Sequence, residues 1–127
     1  MRKFAFLLAV VFLLAGLGTY AHARKLHRKP EAFYQTQWCA EHGGQSEFVL
    51  SDGTRCDCIT DTNSIEFDFA PKWAEAIGQA LYYGAMTRKE PGIVLIVSGP
   101  NDEKYVRRIE TVAEEYRIKI AVWTMNE

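Results

Sequence analysis

Residues Ser64–Glu75 read S-I-E-F-D-F-A-P-K-W-A-E. Apolar and acidic side chains alternate from Ile65 to Phe69, the period of an extended strand. Pro71 follows, a residue suited to the first turn of a helix because the N–H it lacks would go unbonded there. The stretch therefore reads as a strand running straight into a helix. Ile65, Phe67 and Phe69 share one face of the strand, and Glu66 and Asp68 share the other.

Two strand signals precede it. Ser46–Leu50 and Thr54–Thr60 flank S-D-G-T, with Asp52-Gly53 at the centre of a tight turn. Asp61-Thr62-Asn63 then turns into the third strand, Ser64–Phe69. Upstream, residues 31–42 have helical spacing and Gly43-Gly44 stops them. Downstream, the helix begun at Pro71 runs to about Met86. Gly92–Ser98 is nearly all apolar, as in a strand buried on both faces. A helix from Asp102 to Tyr116 and a strand from Ile118 to Thr124 follow. That last strand–helix–strand unit, about 33 residues, is long enough for a parallel crossover. The order α-β-β-β-α-β-α-β predicts an α/β (α+β) fold with one mixed sheet, in a single domain over residues 31–127.

The N-terminus has another character. Arg2 and Lys3 precede an apolar run from Phe4 to about Gly18, and Ala21-His22-Ala23 follows. This is the layout of a signal peptide over residues 1–23, and the run is short of the about 20 residues a membrane span needs. An uncleaved N-terminal anchor is the alternative. No cysteine lies near Ala23, which argues against a lipid anchor. Either way the expectation is an exported protein, periplasmic or secreted, with a basic linker over residues 24–30. The chain has 15 basic and 16 acidic residues; without Arg2 and Lys3 the balance is 13 to 16, a net charge of −3. That argues against indiscriminate nucleic-acid binding, which runs on phosphate neutralisation. A local basic strip remains at Arg24, Lys25, Arg28 and Lys29.

Outside the cytoplasm, two of Cys39, Cys56 and Cys58 are expected to oxidise. Cys56 and Cys58 lie two apart on a predicted strand, pointing to the same side and about 6.8 Å apart, awkward for a disulfide. Cys39 therefore pairs with Cys56 or Cys58, and the remaining thiol is buried. C-D-C supplies too few ligands for structural zinc and lacks the C-x-x-C spacing of redox sites.

Strand parity brings acids together. If the cysteines pack inward with the phenylalanines, Asp57 lies on the same side of the sheet as Glu66 and Asp68, and a hairpin brings them close. Like charges on adjacent strands repel, so such a cluster suits a hard divalent cation; a solvated outer face is the alternative. On the following helix Lys72, Glu75, Gln79 and Tyr82 fall within roughly 80° of one another, one polar stripe. Such a stripe is either the wet side of the helix or a substrate-positioning surface.

From R-C-D-C-I-T through I-E-F-D-F-A-P-K-W-A-E-A-I-G-Q-A-L-Y-Y, over about residues 31–98, the chain resembles the PD-(D/E)XK nuclease superfamily, with its restriction-endonuclease-like α-β-β-β-α-β core. The resemblance implies Asp57 and Glu66 as metal-binding acids, and Gln79 with Tyr82 or Tyr83 as the helix's contribution. Glu41 matches an extra acid of some members. The pattern's lysine should stand two residues after Glu66, where this chain has Asp68; Lys72 is the migrated substitute. The implied activity is Mg²⁺- or Mn²⁺-dependent hydrolysis of DNA or RNA. Asp57 and Glu66 would hold the metal, with Glu41 or Asp68 adding ligands. Lys72 and Gln79 would be catalytic, and Tyr82 and Glu75 would position substrate. The alternative is a non-catalytic binding or structural domain on the same scaffold.

Other residues read as structural. His27 and His42 are expected on the surface, Trp123 in the core, and Asn101 or Asp102 as a helix cap.

Overall fold

The computed structural model describes residues 28–127. The expected signal peptide, and residues 24–27 of the expected basic linker, lie outside the described residues. Helix α1 (Glu31–Glu41) leads into strands β1 (Gln45–Val49), β2 (Arg55–Ile59) and β3 (Asn63–Phe69). A 3₁₀ turn at Ala70–Lys72 opens helix α2 (Trp73–Thr87), followed by β4 (Glu90–Val97). A second 3₁₀ turn at Pro100–Asp102 leads to helix α3 (Glu103–Glu115) and β5 (Ala121–Asn126). The five strands form one mixed sheet in the order β1-β2-β3-β4-β5. The first two pairings are antiparallel and the last two parallel. The mixed α/β class expected from the sequence is thus the one observed.

Alternation in β3 and β4 sorts the core into two layers. Ile65, Phe67 and Val94 pack with Trp38 and Cys39 of α1, and Trp123 joins them. Ile93 and Leu95 pack with Ala76 and Ala80 of α2 and Ile109 of α3. β4 lies between β3 and β5 with helices on both faces, which is why its sequence is almost uniformly apolar. Gly92 is required by packing: a Cβ there would stand 2.8 Å from the Trp123 ring. Gly43, at φ 66°, ends α1 in the left-handed conformation that glycine adopts without steric cost.

Cys39 is bonded to Cys58, tying α1 to β2. Cys56 is free and buried, and burial pushes its thiol up to about 11. One expectation is corrected here. Cys56 and Cys58 do not point to the same side: Cys58 packs with α1, whereas Cys56 packs with Tyr83 of α2. The cause is a break between β1 and β2. Their register pairs Ser46 with Cys58 and Phe48 with Cys56, but skips Glu47 and Asp57, and Glu47 has φ 54°. Left-handed backbone at a non-glycine residue interrupts the pleat, so the faces swap across it. Asp102 stands at the N-cap position of α3, as expected, but its carboxylate accepts the N–H of Ser98 at 2.8 Å rather than one from its own helix.

Candidate active site

The interruption at Asp57 has a second effect. β2 and β3 pair only at Cys58–Ile65 and Ile59–Ser64, then diverge into a fork. At the fork Oδ2 of Asp57 accepts the N–H of Phe67 at 2.8 Å. The Asp57 carbonyl, no longer needed by the ladder, accepts from Gln35 Nε2 at 2.7 Å, and the same nitrogen donates to Glu47 Oε1 at 2.8 Å.

Glu66 and Asp68 lie in register with Ile93 and Leu95 and share their face, beneath α2. Both are buried, at 4% and 2% exposure. Glu66 Oε2 and Asp68 Oδ1 have no hydrogen-bond partner among the described residues. Leaving a buried carboxylate oxygen unbonded is costly, so these two atoms stand out. Oδ1 of Asp68 does face Lys72 Nζ at 3.5 Å, an ion pair whose lysine is more than half exposed.

The acids form two pairs. Asp57 lies beside Glu66, and Glu31, from the first turn of α1, lies beside Asp68, each near enough to act on the other's titration. Burial, and then the Asp57 charge, drives Glu66 well above the usual carboxylate range. Asp57 is also raised by burial, against the opposing pull of the Phe67 N–H. Burial raises Asp68 despite Lys72, and raises Glu31 to about 7, with the Asp68 charge next in importance. Lys72 is raised by Asp68, so it remains an ammonium at neutral pH. Burial and the neighbouring acids thus both favour the protonated forms of these carboxyls.

The residues expected from sequence divide. Asp57, Glu66, Asp68 and Lys72 converge, and the Glu75 charge also reaches Asp68. Gln79 Nε2 donates to the Tyr83 hydroxyl at 3.5 Å, and Tyr83 senses the charges of Glu66 and Asp57. Burial holds the Tyr83 phenol up at about 12. Of the two candidate tyrosines, Tyr83 therefore faces the acids. Tyr82 instead donates to Asp52 in the β1–β2 turn. Glu41 is exposed at the far end of α1 from Glu31 and accepts from Gln37 Nε2 at 3.1 Å. The acid that α1 brings to the cluster is Glu31, one turn before Gln35. Neither was legible as a site residue, because a first-turn glutamate reads as a favourable partner of the helix dipole. Arg28 pairs with Glu127 at 2.8 Å and lies 3.8 Å from the Phe69 ring centroid, while Lys29 lies over Phe33.

Among the described residues, no three His, Cys, Asp or Glu side chains are arranged as a ready-made metal cage. Mg²⁺ does not need one, since it takes one or two carboxylates and completes its shell with water and phosphate oxygens. The adjacent Asp57 and Glu66 carboxyls, with a bare oxygen on Glu66, match that donor set. Comparisons with protein families, with curated proteins and with solved structures gave no match. Among the described residues no helix is long and apolar enough to cross a membrane.

Proposed function

We propose that this chain is a Mg²⁺- or Mn²⁺-dependent phosphodiesterase acting on nucleic acid, with its centre in the β2–β3 fork. The observation that carries the reading is the buried acid cluster in which Glu66 Oε2 has no hydrogen-bond partner and Asp68 Oδ1 has only the Lys72 ammonium at 3.5 Å. A buried acid cluster held by retained protons is poised to exchange them for a cation.

Asp57 and Glu66 would hold the metal, and Asp68 would support it from the next position on the same face. A bound divalent ion polarises the phosphoryl group and lowers the pKa of its water. The chain's own residues do the rest. The Phe67 N–H fixes the Asp57 carboxyl, and Gln35 fixes the backbone behind it. Lys72 stays charged and half in solvent, placed to stabilise negative charge developing on phosphate. Asp68 stands where the resemblance expects the lysine. Here it anchors the ammonium that arrives four residues later. Gln79 and Tyr83 close the α2 side.

Export belongs to the same proposal, and the Cys39–Cys58 disulfide supports it, since such bonds persist in oxidising compartments. The test is cleavage of single- and double-stranded DNA and RNA with Mg²⁺ or Mn²⁺, beside Asp57→Asn. Metal-dependent cleavage lost in the variant is the expected result. Metal binding without cleavage of any substrate would favour the non-catalytic binding module instead.

A further inference from the structure

Next to Lys72 the surface changes character. Trp73 begins α2, and α3 packs against the 70–72 turn beside it. Arg108 is exposed, with its guanidinium 5.6 Å from the Trp73 ring centroid and 5.3 Å from that of Tyr105. Lys104 Nζ lies 4.9 Å from the Tyr105 centroid. Both rings are half-buried, seated on the Ile93–Leu95–Ile109 core, so they are held in place.

Helix α3 is partly sorted by charge. At 100° per residue Lys104 and Arg108 share one flank, which Glu115 joins about two turns further on, while Glu103, Glu110 and Glu114 share another about 120° away. Arg107, beside the acidic flank, is paired with Glu103 at 3.5 Å. Arg108 lies by the Trp73 ring, and Lys72, the residue before Trp73, pairs with Asp68 of the acid cluster.

Resting on the phosphodiesterase reading, we propose that the shelf of Trp73, Lys104, Tyr105 and Arg108 binds single-stranded nucleic acid and feeds it to the β2–β3 fork. Cations spaced along a helix flank suit successive phosphates. Rings and a guanidinium plane suit unstacked bases, which a duplex keeps inside its own stack. An anionic membrane surface would use the cations but not the rings' stacking faces.

The test is fluorescence anisotropy with a labelled single strand of about 20 nucleotides and the matching duplex. Both are measured in EDTA, so that no cleavage occurs, at about 50 mM salt. The single strand is expected to bind at least about tenfold more tightly than the duplex, since stacking adds to phosphate contacts. The double substitution Lys104→Glu/Arg108→Glu, at exposed positions, should weaken it by about thirtyfold or more, by converting two attractive contacts into repulsive ones. Glu110→Lys/Glu114→Lys, on the other flank, should not weaken it. Mn²⁺ calorimetry on the Lys104/Arg108 variant should match the unsubstituted protein, which separates failure of the shelf from failure of the metal site. The proposal is overturned if charge reversal leaves single-strand affinity unchanged, or if duplex binds equally well. Binding to phosphatidylglycerol vesicles but not to the oligonucleotide would also overturn it.

Discussion

Oδ2 of Asp57 accepts the backbone N–H of Phe67 at 2.8 Å, so a side chain holds the place a strand carbonyl would take. That substitution lets β2 leave β3 without stranding a buried donor, and it opens the fork where the acids meet. Asp57→Ala should therefore cost more than a surface change, about 1–3 kcal/mol, because Phe67 N–H loses its partner. Asp57→Asn keeps an acceptor and should cost less. Urea unfolding of the two variants checks the ordering; equal losses would mean the bond does not hold the fork.

Glu66 should behave in the opposite way. It is buried against a second acid and lacks a partner for one oxygen. Glu66→Gln removes the cost of keeping a buried carboxyl protonated above its ordinary pKa, and should stabilise the metal-free protein at pH 7.5 by about 1–2 kcal/mol, roughly 5–10 °C in Tm. A site residue whose removal stabilises the fold is expected where function opposes stability. Thermal unfolding in EDTA reads it, and a lower Tm for the variant would count against a strained acid pair.

The same physics sets a pH dependence. Glu31 has its pKa raised from 4.5 to about 7, and Asp57, Glu66 and Asp68 are also raised. Between the unfolded and folded values the folded state holds more protons, so stability is full below about 4.5 and falls as pH rises through about 7. Asp52, lowered to about 2 by the Tyr82 hydroxyl, has the opposite sign and matters only in acid below its ordinary 3.8. Metal-free protein should melt at a lower temperature at pH 8 than at pH 5.5, and Mg²⁺ should recover most of the difference. A Tm that is flat or rising over that range in EDTA is the contrary outcome.

Much of this was open to reading in the chain itself. Alternation through Ser64–Phe69 and the apolar run before Ser98 give the element order, because burial on one or two faces writes directly into periodicity. The nearness of Asp57 to Glu66 also followed, though for a partly mistaken reason. Strand parity along β2 does not carry through the pair Glu47 and Asp57, where the pleat is broken. Glu47 is neither glycine nor asparagine, so nothing local announces its left-handed backbone. Glu31 and Gln35 were out of reach because their role depends on where α1 crosses the fork, a tertiary fact. The choice of Cys58 over Cys56 turned on the same broken pleat.

The disulfide gives a further test. Cys39 and Cys58 close a loop of 19 residues, so Cys39→Ala/Cys58→Ala should cost about 3 kcal/mol. Because α1 carries Glu31 and Gln35, the double variant should also weaken metal affinity, whereas Cys56→Ala should leave it unchanged. Denaturant unfolding and metal titration on each variant would decide, and unaltered metal affinity in the double variant would show that α1 needs no tether to serve the site.

The central claim is that the Asp57–Glu66 pair holds protons in place of a divalent cation. Calorimetric titration of Mn²⁺ at pH 7 in two buffers of different ionisation enthalpy tests it directly. The expected result is binding at one site with release of roughly one proton, seen as a buffer-dependent heat, and loss of that heat in Glu66→Gln. Negligible heat in the unsubstituted protein, or equal heats in it and in Glu66→Gln, would contradict the claim.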